Sequence, residues 1–154
     1  MSFKEMIDAL GKELGVKMEI ADDACAVSLA AEEGDRVTIL LQGQDARGTV
    51  LTCADLGEPP PEGREMLFRT LLEANDLYEG TGGATLSLDS RTGHVRIQRF
   101  DALDALVEAG VARAFIAFAD TAAAWKRLIS DFRGVAKDVS REDAPSALDG
   151  LLRV

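Results

Sequence analysis

Residues 25–53, CAVSLAAEEGDRVTILLQGQDARGTVLTC, read as three consecutive β-strands. Cys25, Val27 and Leu29 alternate with smaller residues, Val37, Ile39 and Leu41 repeat the alternation, and Thr49 to Cys53 makes a third segment. A period of two marks strands with one buried face. Glu32-Glu33-Gly34-Asp35 and Gly43 to Arg47 are the connections. Loops this short cannot carry a crossover, so the three strands form an antiparallel meander.

Upstream, Ser2 and Glu5 have the spacing of a capping box, and Phe3, Met6, Ile7, Leu10 and Leu14 recur at helical spacing until Gly15. Met18 to Ile20 reads as a short extended segment, and Asp22-Asp23 as a turn. Downstream, Leu56 to Pro61 breaks the sheet, because three prolines cannot sit in a central strand. Glu62 to Tyr78 then reads as a helix. Ala84 to Leu88 and Val95 to Ile97 form a second hairpin around Asp89 to Gly93. Asp101 is expected to cap one long helix, whose apolar residues from Leu103 to Phe132 keep a 3.6-residue period, with Gly134 as its stop. The predicted order is α-β-β-β-β-α-β-β-α, an α+β plan with three helices against an antiparallel sheet. Residues 1–133 form the domain, and 134–154 a flexible or loosely docked tail.

The chain has 154 residues, with 27 acidic and 17 Lys/Arg side chains, for a formal net charge of −10. Residues 1–80 hold 17 of the acids and 7 of the bases, and the remainder holds ten of each. This balance argues against nucleic acid, whose phosphates need clustered Lys and Arg, and against an anionic membrane surface. The start lacks the uninterrupted apolar run of a signal peptide, and no stretch approaches a membrane span. The expected location is cytoplasmic, with Cys25 and Cys53 as buried thiols rather than a disulfide.

No constellation supports an enzyme. His94, the single histidine, has no sequence partner. Cys25, Cys53 and His94 lack zinc-ligand spacing. Gly80-Thr81-Gly82-Gly83 leads from a helix into a strand and has no Lys, the reverse of a phosphate loop. No cofactor or metal is expected. What remains is apolar surface. The first helix, with Met18 and Ile20 after it, either spends its stripe in its own core or leaves part of it exposed to an apolar partner. The middle helix is apolar on more than one face, since Phe68 sits off the Met66–Leu77 stripe. That pattern suits a helix between two subunits.

The stretch Leu71–Ile97, LLEANDLYEGTGGATLSLDSRTGHVRI, carries a Leu-Leu-x-Ala-Asn helix end, a Gly-Gly turn, Leu-x-Leu-Asp and a Gly-x-Val opening. Leu14-Gly15, Ala54-Asp55-Leu56-Gly57 and the aromatic-rich last helix with Trp125 add to it. In these features, over residues 3–132, the chain resembles the type III secretion chaperones of the Tir-chaperone (CesT-like) group, those that serve one or a few effectors.

The resemblance implies a non-catalytic homodimer that holds the N-terminal part of a secreted effector extended, soluble and export-competent. It implies dimerisation through the middle helix and an adjoining strand, here Met66, Leu67, Leu71, Leu72 and Tyr78. The effector would follow grooves beside the first helix and strands, here Phe3, Met6, Leu10, Met18 and Ile20, and add a strand to a sheet edge. An export ATPase would supply release. The triple proline and the long tail depart from the family pattern, and Leu148, Leu151 and Leu152 are candidates to cover the groove when it is empty. The competing expectation is a small regulatory module of similar plan that binds a folded partner.

Overall fold

The computed structural model describes residues 1–132. The expected tail, with Gly134 and Leu148, Leu151 and Leu152, lies outside the described residues. The element order is α1 (Phe3–Leu14), β1 (Ala24–Ala30), β2 (Arg36–Gln44), β3 (Thr49–Gly57), α2 (Arg64–Asn75), β4 (Thr85–Leu88), β5 (Val95–Ala102), α3 (Leu103–Ala109) and α4 (Val111–Asp131). The strands form one antiparallel sheet in the order β1-β2-β3-β5-β4. The α+β plan and the meander are as the sequence indicated.

Alternation sets the faces. Cys25, Val27 and Leu29 of β1 stand beside Leu41, Ile39 and Val37 of β2, and all six are buried. α4 lies against β1, β2 and β3. Its Phe115, Phe118, Ala119, Ala122 and Ile129 fill the space over this face, and α1 packs on α4 in turn. Trp125 closes the far side, its Nε1 donating to the Gly80 carbonyl at 2.9 Å. No helix among the described residues is long and apolar enough to cross a membrane.

Two elements differ from the sequence reading. Met18 to Ile20 is not a strand. Gly15 adopts a left-handed conformation (φ 67°), and the chain folds back so that the Val16 N–H bonds the Gly11 carbonyl. The stretch then has no strand to pair with until the Ala21–Ala24 bridge around the Asp22-Asp23 turn. The last helix is two. Gly110, at φ 87° and ψ 113°, breaks it between α3 and α4, a conformation that side chains with a Cβ rarely adopt. Asp101 caps nothing; it lies in β5 and pairs with Arg99 at 2.9 Å.

Among the described residues two buried hydroxyls, those of Thr49 and Thr52 in β3, have no hydrogen-bond partner. Thr52 is fully buried in β3, and its hydroxyl has no hydrogen-bond partner. Valine has nearly the same shape and no oxygen to desolvate. Thr52→Val is therefore expected to raise the unfolding free energy by about 1 kcal/mol. Urea denaturation checks this through an upward midpoint shift at constant slope.

Candidate protein-binding surfaces

The residues expected to meet a partner along α1 divide. Ser2 and Glu5 form the capping box, with Glu5 N–H to Ser2 Oγ at 3.2 Å and Ser2 N–H to Glu5 Oε2 at 2.8 Å. That cap fixes the start of α1 and turns Phe3, Met6, Ile7 and Leu10 inward. Phe3, Met6 and Leu10 are buried in the protomer's own core, so their stripe is spent there and is not an open groove. Gly43 is part of this packing. It lies within β2, and any Cβ there would run into the Phe3 ring. Met18 is half-buried and Ile20 is exposed, and Val16, not singled out from the sequence, is exposed beside them.

The α2 set divides in the same way. Leu67 and Leu71 face the core, whereas Met66, Leu72 and Tyr78 are exposed, Leu72 by 70%. A groove runs between α2 and β4, lined by Phe68, Leu71, Leu72, Leu86, Ser87 and Leu88. Glu65, Glu73 and Asp76 flank Phe68 and Leu72 on its other side, with Arg69 bound to Glu73 at 2.9 Å. Acidic side chains thus rim an apolar surface in the half of the chain that carries the net charge. The prolines are tied to the helix start, because Arg64 donates from Nε to the Pro60 carbonyl at 3.0 Å and from Nη2 to Pro59 at 3.3 Å.

Beyond α2, Leu77 and Tyr78 both take left-handed backbone (φ 54° and 57°) while their side chains stay exposed. Such conformations cost on the order of 1–3 kcal/mol each for residues other than glycine. They persist because both flanks are tied, Asn75 to Leu86 on one side and, on the other, Thr81 N–H to the Tyr78 carbonyl at 3.3 Å and Trp125 to Gly80.

The outer sheet face supplies a third apolar surface. Gln42, Leu51 and Phe100 are in register across β2, β3 and β5. Leu40 and Phe100 are exposed and Leu51 is half-buried. No described element covers this face. Its signal was present in the sequence: Ile39, Leu40 and Leu41 in a row force the middle one outward when its neighbours point in.

Among the described residues the titratable groups form separate ion pairs and hydrogen bonds. His94 has the partner that the sequence did not reveal, with Nδ1 2.9 Å from Asp55 Oδ2. Burial acts to raise the Asp55 carboxyl, but the Gly57 N–H and His94 outweigh it and hold the group below its usual value. Asp89 binds Arg96 at 2.6 Å and the Arg91 N–H at 3.0 Å, which also lowers its carboxyl and fixes the β4–β5 turn. Burial pushes both thiols up, so Cys25 and Cys53 stay protonated and weakly nucleophilic at neutral pH. They share no disulfide and lie on opposite faces of the sheet. Among the described residues no three His, Cys, Asp or Glu side chains converge to hold a metal.

Residues 5–126 match the family model described as the Tir chaperone protein (CesT) family. No curated protein matches the chain in sequence. Among solved structures, the chain resembles one from the HopA1–SchA chaperone–effector complex, with TM-score 0.62, 16% identity, and coverage of 81% of this chain and 93% of that one. It also resembles a chain of the ExsC–ExsE complex, with TM-score 0.57, 22% identity and coverage of 81% and 91%. A third is from the ExoT–SpcS complex of Pseudomonas aeruginosa, with TM-score 0.53, 15% identity and coverage of 81% and 95%. At these identities the likeness is one of fold.

Proposed function

The chain belongs to the Tir chaperone protein (CesT) family, and on that premise we propose that it is a cytoplasmic type III secretion chaperone. It binds the N-terminal segment of a secreted effector in extended form and keeps that segment soluble until export. The family match over residues 5–126 carries the reading. Support comes from a relative of the same fold, SchA or its partner in a chaperone–effector complex, and from a surface that offers apolar grooves and a strand edge.

The work is binding, with no bond made or broken. Apolar anchors of the effector seat beside Met18 and Ile20, while Phe3, Met6 and Leu10 hold the helix beneath them. β1 supplies the edge for an added strand. Cys25, Val27 and Leu29 bond to β2, so the amides of Ala26, Ser28 and Ala30 point outward, and their side chains are too small to obstruct a neighbour. Two copies associate through the exposed side of α2 and the turn that follows it, with Met66, Leu72 and Tyr78 as contacts and Leu67 and Leu71 as their internal support. Release is driven from outside by an export ATPase.

Capture of the tagged chain from its native host, followed by mass spectrometry, tests the proposal. The expected co-eluting protein is a secretion substrate. Recovery of only a folded regulator would favour the interaction-module alternative instead.

A further inference from the structure

The sheet has two edges, β1 and β4, and they are not equivalent. In β4, the bond from the Asp89 N–H to the His94 carbonyl continues the β5 pairing through odd-numbered residues, so Leu86 turns its own N–H and C=O away from β5. Asn75, the last residue of α2, meets both groups. Its Oδ1 accepts from Leu86 N–H at 2.8 Å, and its Nδ2 donates to the Leu86 carbonyl at 3.0 Å. A carboxamide has the same donor and acceptor pair as a peptide group. At β1, by contrast, no described side chain is bonded to the outward N–H of Ala26, Ser28 or Ala30. There the Ser28 carbonyl receives Arg36 Nη2 at 3.2 Å.

We propose that Asn75 stands in for a neighbouring strand at Leu86, in the middle of β4, and so interrupts that edge, confining strand addition to β1. Unguarded edges recruit other chains, and natural sheets commonly cover them. Here one side chain at the end of a helix performs that task. It is a positioning residue: it decides where an incoming strand cannot pair. That the strand added at β1 is an effector segment rests on the chaperone reading; that β4 is interrupted does not.

The test needs no effector. Amide hydrogen exchange by NMR and light scattering over a concentration series are compared for the full chain, Asn75→Ala and Asn75→Asp. In Asn75→Ala the Leu86 amide is expected to exchange at least about tenfold faster, with Ile39 unchanged, because the opening is local. The same variant is expected to gain species larger than the parent's dimer, in proportion that rises with concentration. Asn75→Asp keeps an acceptor for Leu86 N–H but sets a carboxylate oxygen where Nδ2 met the Leu86 carbonyl, so its Leu86 exchange is expected to lie between those of the parent and Asn75→Ala. A merely structural tie between α2 and β4 would alter exchange without altering mass. Unchanged Leu86 exchange in Asn75→Ala overturns the proposal, and so does faster exchange with no change in mass. Should Asn75→Ala fail to fold, Asn75→Asp decides, and Leu86 exchange unchanged from the parent there overturns the proposal as well.

Discussion

Leu72→Asp is expected to give a folded monomer, and Leu67→Asp no folded protein. The two leucines are five residues apart on α2, which places them about 140° apart around the helix. Leu67 is fully buried, whereas Leu72 is 70% exposed and borders the α2–β4 groove. A carboxylate at position 67 enters the core with nothing to pair it, and the leucine's packing is lost as well. At position 72 it enters water in the isolated protomer. In a two-fold interface it enters twice, once from each copy, into a patch where Glu65 and Asp76 leave the acids in excess of Arg69 and its partner Glu73. A central apolar contact is worth about 2 kcal/mol or more, so the doubled loss weakens association about 1,000-fold. Circular dichroism checks the fold and light scattering the mass. A Leu72→Asp protein with the parent's mass at all concentrations would remove α2 from the dimer interface.

Met6→Asp is expected to unfold the protein. The family resemblance implied that Phe3 and Met6 line the effector groove, where a charge would block a partner and spare the fold. The structure replaces that expectation, because Met6 has no exposed surface. Truncating a buried methionine costs about 2–5 kcal/mol, and a buried carboxyl adds to it, against a total stability of about 5–15 kcal/mol. Loss of partner binding in Met6→Asp would therefore report on folding. Ile20→Asp is the informative counterpart, since Ile20 is exposed and the fold should survive the change. A Met6→Asp protein that melts at the parent's temperature would contradict the placement of α1.

Local patterns fixed most of the fold. The alternation of Val37, Ile39 and Leu41 and the capping pair Ser2 and Glu5 are short-range signals, and both appear in the structure where expected. Gly110 escaped notice because the apolar period runs through it unbroken, and only its backbone conformation separates α3 from α4. Gly43 read as turn material, yet it is a strand residue that makes room for Phe3 from a helix forty residues away. Such a role depends on packing, which no local pattern encodes. The same holds for the surfaces. Periodicity identified the apolar residues of α1 and α2, but it could not divide Leu67 from Leu72, or Met6 from Ile20, because each helix presents apolar side chains in more than one direction. Asn75 was visible as part of a motif, while its task required knowing that β4 is an edge.

The acidity of the first half gains a location from the structure. Glu65, Glu73 and Asp76, with Arg69 paired to Glu73, border Phe68 and Leu72, so part of that acidity lies around an apolar surface. This arrangement suits a protein whose task is to hold a segment that would otherwise aggregate.

The central claim is that the partner is held extended. Hydrogen exchange on the partner captured from the host, bound and then released, tests it most directly. The account predicts protection confined to one stretch near the partner's N-terminus while bound, with that stretch exchanging at unfolded-chain rates once released. A partner whose bound region is equally protected before and after release is a folded domain, and that result would contradict the account.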